Sequence, residues 1–532
     1  MKKVNKMDKS NSQQDKTFLE ADSLPTDTHH LRRDKKRSER KRTLKRLIAL
    51  ILTVSYAIGE YYINDYCSEL GESFLLFFRI TQKDVQLNYS LYSIPAIFVV
   101  IASGPIITKM GSAACCALSG LVVFISSFGF FIAVIHRNWI LFQASEALYG
   151  AVGELYTVAQ NVLFVELFQG NWQTMAFGIS QSLNNISETI SNYANAKIYK
   201  KTKRMRVIFF IGAITCAASA ICSILWGILE KLGWKKDILA DSRQEDEDED
   251  GEAILNGMNF YSKLKIWWRD IKDPFVTSNV MLCTISQNIF YLLLSYQTEC
   301  LVKRFGYDQK QANFFVSLSL FITIPASPIF SYLSVRWGGK NGYLLFASAA
   351  CLAFFVIFIV LPEKPINNFL MYLATVLFSL FNSITAFLTY SCIGIVTPAR
   401  STSMVYGLTS FLLNLGLSLF PFMIGDFTEK DNADGYQKTN YVMLVLSVLG
   451  LILAVSVKWI DVKRGGILGL PENSEEALKM KEEIDFNDEF VLRLVAESKE
   501  RRASKRVDTG QSNTNQDDFS GFEAAEVQKL DR

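Results

Sequence analysis

Apolar runs fill the chain from about residue 46 to residue 460, separated by short polar breaks and by one long polar stretch at about 230–272. Crossing a hydrocarbon core of roughly 30 Å takes about 20 mostly apolar residues in one helix. Twelve runs fit that length, at about 46–66, 88–108, 113–134, 139–164, 174–196, 206–229, 274–300, 312–334, 341–361, 367–394, 402–426 and 439–460. The pattern predicts an all-α membrane protein with twelve transmembrane helices. The fifth run, MAFGISQSLNNISETISNYANA, is too polar to face lipid. It can span only if buried against other helices or lining a cavity.

An internal repeat supports the count. Met175-Ala-Phe-Gly178-Ile-Ser-Gln-Ser-Leu183-Asn-Asn185 matches Met404-Val-Tyr-Gly407-Leu-Thr-Ser-Phe-Leu412-Leu-Asn414 at an offset of 229. Gly111, after the second run, matches Gly338, after the eighth, at an offset of 227. Two related six-helix halves predict two pseudo-symmetric bundles of the transporter type. The expected organisation is a basic tail 1–44, an N-terminal bundle 45–230, an acidic linker 231–273, a C-terminal bundle 274–462 and a charged tail 463–532.

Composition sharpens this reading. Half of the residues are hydrophobic, and most of them lie between the polar segments. That concentration argues against a soluble enzyme, a disordered chain and a nucleic-acid binder. The net charge of +3 hides strong segregation and says little about partners. Nine Cys are scattered without CxxC or Cys/His spacing, and the three His lie outside the runs, so neither metal nor cofactor is expected. Cys67 and Cys300 fall near helix ends on one side, which leaves a disulfide between them open. The first thirty residues lack the apolar core of a signal peptide, so the first helix is the expected membrane signal.

Ten Lys and Arg between Arg32 and Arg46 precede the first run and place that end in the cytosol. An even number of spans places the C-terminus there too, with the loops that carry Lys109, Arg336 and Arg400. The basic tail also suits anionic lipid, although orientation alone accounts for it. The linker holds an acidic run, 245–250, and an amphipathic segment, 258–273. Asn88-Tyr-Ser90 is a glycosylation sequon on the outer side, very close to the second span. One cluster opposes the scheme: Lys197, Lys200, Lys201, Lys203, Arg204 and Arg206 fall on the outer side if the fifth run spans.

No Lys or Arg lies inside the helical cores of the runs, but carboxylates do: Glu60, Asp65, Glu146, Glu154, Glu188 and Glu299. An ionised carboxylate at mid-membrane costs about 2.5–3.5 kcal/mol even on the lenient insertion scale. Such groups must be protonated, hydrogen-bonded or paired with a cationic ligand. Glu146, Gly150, Gly153, Thr157 and Gln160 share one helical face, with Glu154 and Asn161 beside it. Gly178, Ser182, Asn185, Thr189 and Asn192 share another. The small residues also suit plain helix packing. Tyr61, Tyr62, Tyr156 and Tyr390 are available to stack on or hydrogen-bond a ligand.

The stretch Gly153-Glu154-Leu-Tyr-Thr-Val-Ala159-Gln160-Asn161, then Phe177-Gly178, resembles helices four and five of the major facilitator superfamily. Its nearest subgroup is that of major facilitator superfamily domain-containing protein 1. Ser327-Pro328, Gly338, Tyr406-Gly407 and Asn414-Leu-Gly416-Leu follow the same subgroup, and the likeness covers about residues 46–462. The resemblance implies a lysosomal facilitator of dipeptides and amino-acid derivatives, a cavity between two bundles, a rocker-switch cycle and a glycosylated single-pass accessory subunit. It assigns the peptide amino group to Glu154. The arginine it assigns to the peptide carboxylate aligns with Asn185, and the subgroup's early acidic residue with Asp65. The superfamily's gate loop keeps Gly104 and Gly111, but Thr108 lies near its aspartate position, and Val335 takes that position in the second half. These losses predict a weaker cytosolic latch.

The reading reached is a secondary transporter or uniporter of small organic solutes, most simply amino acids or dipeptides, biased to cationic or zwitterionic ones. Glu154 would hold the amino group. Asn161, Asn185 and Gln160 would supply neutral hydrogen bonds, Tyr61 a ring, and Glu146 or Asp65 a proton site. The alternative is a non-transporting nutrient receptor or trafficking scaffold on a transporter fold. An enzyme is not expected, because no nucleophile–base constellation is present.

Overall fold

The computed structural model describes residues 27–64, 66, 70, 72–80, 82–170, 172–239, 260–362, 368–428 and 433–486. Asp65, Cys67 and the acidic run 245–250 lie outside the described residues. The α-helices are α1 (Asp27–Val54), α2 (Ala57–Ile63), α3 (Glu72–Phe78), α4 (Gln82–Met110), α5 (Ser112–His136), α6 (Trp139–Phe168), α7 (Gln173–Thr202) and α8 (Met205–Lys231) in the first half. A short α9 (Trp234–Leu239) and the linker helix α10 (Phe260–Lys272) follow. The second half holds α11 (Pro274–Lys303), α12 (Gln309–Trp337), α13 (Lys340–Val360), α14 (Phe369–Val396), α15 (Thr402–Thr428) and α16 (Ala433–Lys463), then α17 (Glu475–Phe486). Among the described residues no strand occurs.

Nine helices in the described residues are long and apolar enough to cross a membrane, α1 and α2 counting as one. The other three long ones, α6, α7 and α11, have 30 residues each, and α7 is by far the most polar of them. Among the described residues there are therefore twelve helices of spanning length, as the runs predict. The polar fifth run forms α7 without interruption, so the basic cluster at 197–206 stays at the end opposite the linker.

The first run does not form one helix. Ser55 and Tyr56 break it, with i to i−3 hydrogen bonds from Ser55 N to Leu52 O and from Tyr56 N to Thr53 O. A break inside a membrane survives only if its freed backbone groups find partners. Gln160 of α6 donates from Nε2 to Thr53 O at 2.8 Å, and Ser219 of α8 donates to Ser55 O at 3.2 Å and accepts from Gly59 N at 2.9 Å.

In the first half α5 packs on α6 and α8, α4 packs on α6, and α2 packs on α7 and α8. In the second half α13 packs on α14 and α16, α12 on α14, and α11 on α14, α15 and α16. The halves meet through α4 against α15 and α7 against α12, with α14 also touching α7. The two main contacts exchange under the internal repeat, which relates α4 to α12 and α7 to α15. A pseudo-two-fold axis therefore runs between the halves.

The end bearing the linker is covered by extra elements. Near the first half, α9 docks on α1, where Lys45 pairs with Asp237 and Arg46 donates to Ile238 O at 3.0 Å. Under the second half, Trp267 of α10 donates to Arg400 O at 3.2 Å, and Asp270 accepts from Ser401 Oγ at 2.6 Å and Arg400 Nε at 3.1 Å. The tail after α16 folds back as a 3₁₀ turn, Ile467–Gly469, and α17.

Candidate functional site

Glu154 sits midway along α6, where the two halves face each other. Tyr92 Oη of α4 lies 3.5 Å from its Oε1. Ser410 and Asn414 of α15, in the other half, lie beside the same carboxylate. Tyr61 of α2 meets Tyr291 of α11 across the seam through their hydroxyls, with Glu188 of α7 within electrostatic reach of both. Glu154, Tyr61, Tyr92 and Tyr291 are deeply enclosed by protein, yet each retains accessible surface. Enclosure combined with access describes the lining of an internal cavity. Its walls are phenols, carboxylates and amides from both halves.

Sequence reasoning singled out Glu154 and Tyr61 in this lining, and it named Glu60 and Glu188 as buried carboxylates without giving them a role. It missed Tyr92, Tyr291, Ser410 and Asn414. The signal that points to Asn414 is its repeat partner, Asn185. Glu60 is 6% exposed and its Oε1 would lie 2.9 Å from a Cβ on Gly153, so only glycine there leaves room for it. Glu60 Oε2 has no hydrogen-bond partner. Glu60 lies within electrostatic reach of Glu154.

The other predicted residues are spread out. Gln160 is committed to Thr53 O at the helix break. Asn161 is buried beside it on α6. Asn185 is buried on α7, where Gln181 donates to its Oδ1 at 3.1 Å and its Nδ2 has no partner. Glu146 is buried two turns from Glu154, near Tyr149. Asn88 is 1% exposed within α4, which corrects the glycosylation expectation: in the folded chain a glycan there has no space. Cys300 is a free, buried thiol beside Asn440.

Between this cavity and the linker side the halves are sealed. A Cβ on Gly178 of α7 would overlap the Ser331 side chain of α12 and lie 3.2 Å from Ser327 O. A Cβ on its repeat partner Gly407 would lie 2.5 Å from Ser103 Oγ and 3.1 Å from Val100 O of α4. Gly104 meets Met404 in the same way, with Met404 Cα 2.9 Å from a Cβ placed on it. Small residues here let backbones close together. Hydrogen bonds join the same surfaces: Thr108 Oγ1 to Ser403 Oγ at 3.0 Å, Gln173 Nε2 to Ser391 O at 3.1 Å, Thr174 Oγ1 to Ser391 Oγ at 2.6 Å and Ser182 Oγ to Ile324 O at 2.7 Å.

Among the predicted gate residues, Gly104 is in this seal. Gly111 has φ +84° at the start of α5, a conformation that favours glycine, with open space around it. Gly338 has φ +71° and packs against Gly469 and Leu470 of the tail. Lys109 and Arg336 are exposed, and Arg336 donates to Tyr332 Oη at 2.8 Å. The expectation of a weak latch meets a different arrangement. Thr108 bonds across the seam by its hydroxyl, and the backbone O of Val335 accepts from Glu472 N of the tail at 3.2 Å.

The family model of the Major Facilitator Superfamily matches residues 47–421 and 284–482. The chain belongs to the Major Facilitator Superfamily. It is accordingly an integral multi-pass membrane transporter and not an enzyme. The chain is 23% identical to the mouse lysosomal dipeptide transporter MFSD1 over 458 residues, 82% of this chain and 91% of that protein. Its human counterpart is 22% identical over 456 residues, with 82% and 91% covered. Among solved structures, FucP in the outward conformation superposes with a TM-score of 0.56 at 13% identity, covering 78% of this chain and 99% of that one. A bacterial homologue of the iron transporter ferroportin in an outward-facing state gives 0.57 at 12% identity, with 78% and 99% covered. These structures share the fold.

Proposed function

We propose that this superfamily member carries small cationic or zwitterionic organic solutes, amino acids or dipeptides, by alternating access, and that Glu154 binds their amino group. The observation that carries the reading is the place of Glu154. Its carboxylate faces Tyr92 of one half and Ser410 and Asn414 of the other. A cation bound there is held by both halves at once, so its binding energy is coupled to their relative position. Tyr61, Tyr291 and Glu188 extend the site, and Asn185 supplies an amide donor on α7. Glu146 and Asp65 are the remaining acidic groups offered as proton sites.

The named lysosomal dipeptide transporters support the choice of solute and of a lysosomal or endosomal membrane, with the plasma membrane as the other location. The basic stretch 32–46, in the first part of α1, supports cytosolic termini and a cytosolic linker side. In that orientation the sealed end faces the cytosol. The six-helix bundles are taken as 45–230 and 274–462, flanked by cytosolic tails and joined by the linker 231–273. Anionic lipid at the basic tail and a single-pass glycosylated subunit are the partners proposed.

Uptake into proteoliposomes tests the reading. Lysyl and neutral dipeptides are expected to enter faster than glutamyl ones, and Glu154→Gln to abolish binding. Equal or faster uptake of the acidic peptide, or an unchanged Kd in the variant, would overturn it.

A further inference from the structure

The tail segment 464–486 touches both halves on the sealed side. Glu472, 6% exposed, directs its carboxylate at the start of α7 and accepts from Thr174 N at 3.3 and 3.4 Å. The first backbone N–H groups of a helix lack intrahelical partners and carry partial positive charge, so a carboxylate is well placed there. The same carboxylate lies 3.9 Å from Lys340 Nζ at the start of α13, with both side chains almost fully buried. Glu472 therefore ties the seam helix of the first half to the second half.

Nine residues on, Lys481 Nζ donates to Gly394 O at 3.2 Å and Thr397 O at 2.6 Å, capping the end of α14. A cation suits the carbonyl end of a helix. Asp485 pairs with Lys481 at 3.2 Å, accepts from Ala399 N of the second half at 2.9 Å and accepts from Gln169 Nε2 of the first at 3.2 Å. Leu478 fills the space over Gly170, in the turn between α6 and α7. The helix ends joined by the tail are those that must part when the sealed side opens.

We propose that Glu472 is a gate-positioning residue for alternating access: the tail supplies a carboxylate that holds the linker-side seal shut, and segment 464–486 must leave α7 each time that side opens. The proposal rests on the alternating-access reading and adds that the tail sets the balance between the two states.

The test uses the full-length chain with native cysteines replaced and spin labels at Leu232→Cys and Val462→Cys. These positions are 70% and 65% exposed at the linker-side ends of the two halves. A charge-assisted hydrogen bond is about twice as strong as a neutral one. Glu472→Gln is expected to raise the long-distance population about tenfold, with Lys481→Met shifting it the same way and Glu472→Asp keeping most of the short-distance state. Because Glu472→Gln also leaves Lys340 buried without its carboxylate, Glu472→Gln/Lys340→Met is measured alongside. The gate role predicts that the double variant regains thermal stability yet keeps the open shift. Unchanged distances in Glu472→Gln and Lys481→Met, or a shift that vanishes in the double variant, would overturn the proposal. Failure of the transport reading gives a separate result: no flux of any peptide while the label distances still respond.

Discussion

Replacing Gly178 by Ala tests whether the α7–α12 contact belongs to one conformational state. The added Cβ would overlap the Ser331 side chain and stand 3.2 Å from Ser327 O. Neither neighbour yields easily: Ser331 Oγ donates to Pro328 O at 2.9 Å, and Ser327 O is backbone. Overpacking of this kind costs about 1–3 kcal/mol. The cost falls only on the state in which α7 and α12 touch, so the ratio of open to sealed linker side rises by about 5- to 150-fold. The label pair at Leu232 and Val462 reads that ratio. Ser331→Gly removes the overlapping atoms, so Gly178→Ala/Ser331→Gly should return the ratio to within about twofold of the parent, with a coupling energy in the range seen for contacting residues. An unchanged ratio in Gly178→Ala would refute the assignment of this contact to the gate. So would a double variant no better than the single one.

Gly407→Ala, at the repeat-related contact of α15 with α4, should shift the same ratio in the same direction, read by the same labels. Glu154→Gln should leave the unfolding temperature within a few degrees of the parent while removing ligand-induced stabilisation by lysyl dipeptide in a thermal-shift assay. Arg304→Met should lower stability by about 1.5–3 kcal/mol, measured as detergent-melting temperature, because the buried guanidinium donates to Phe358 O at 2.6 Å and Ile359 O at 3.2 Å at the end of α13. Asn88→Gln should migrate with the parent on gels with or without glycosidase; a mobility shift on digestion confined to the parent would refute the burial argument.

The repeat was the most informative sequence signal, and the structure explains why. Gly178 and Gly407 are both sites of close approach between the halves, so the motif preserves the seam and not simply a helix. The run count was legible because length and apolarity are local. The break at Ser55–Tyr56 was not, since no Pro or Gly marks it and the groups that satisfy it, Gln160 and Ser219, come from distant helices. Gln160 read as a ligand group for the same reason: its face was visible, but its acceptor, Thr53 O, was not. The carboxylate of Glu154 was legible from the cost of burying it, whereas Asn414 and Tyr291 join the cavity only through tertiary placement. In the sequence the tail reads only as a charged segment. Its partners are backbone groups at helix ends, Thr174 N and Gly394 O, which carry no side-chain signature.

The most polar of the spanning helices, α7, also bears on how the chain enters a membrane. A helix inserts by itself when its own side chains favour lipid. The α7 helix follows α6 directly, joined to it only by residues 169–172. The emerging α6–α7 hairpin therefore has to wait beside α4 and α5, or against the insertion machinery, until neighbours cover its amides and carboxylates. Residues that line the finished cavity thus also set the order of assembly. Substitutions that make α6 or α7 more apolar should speed insertion even where they destroy the site.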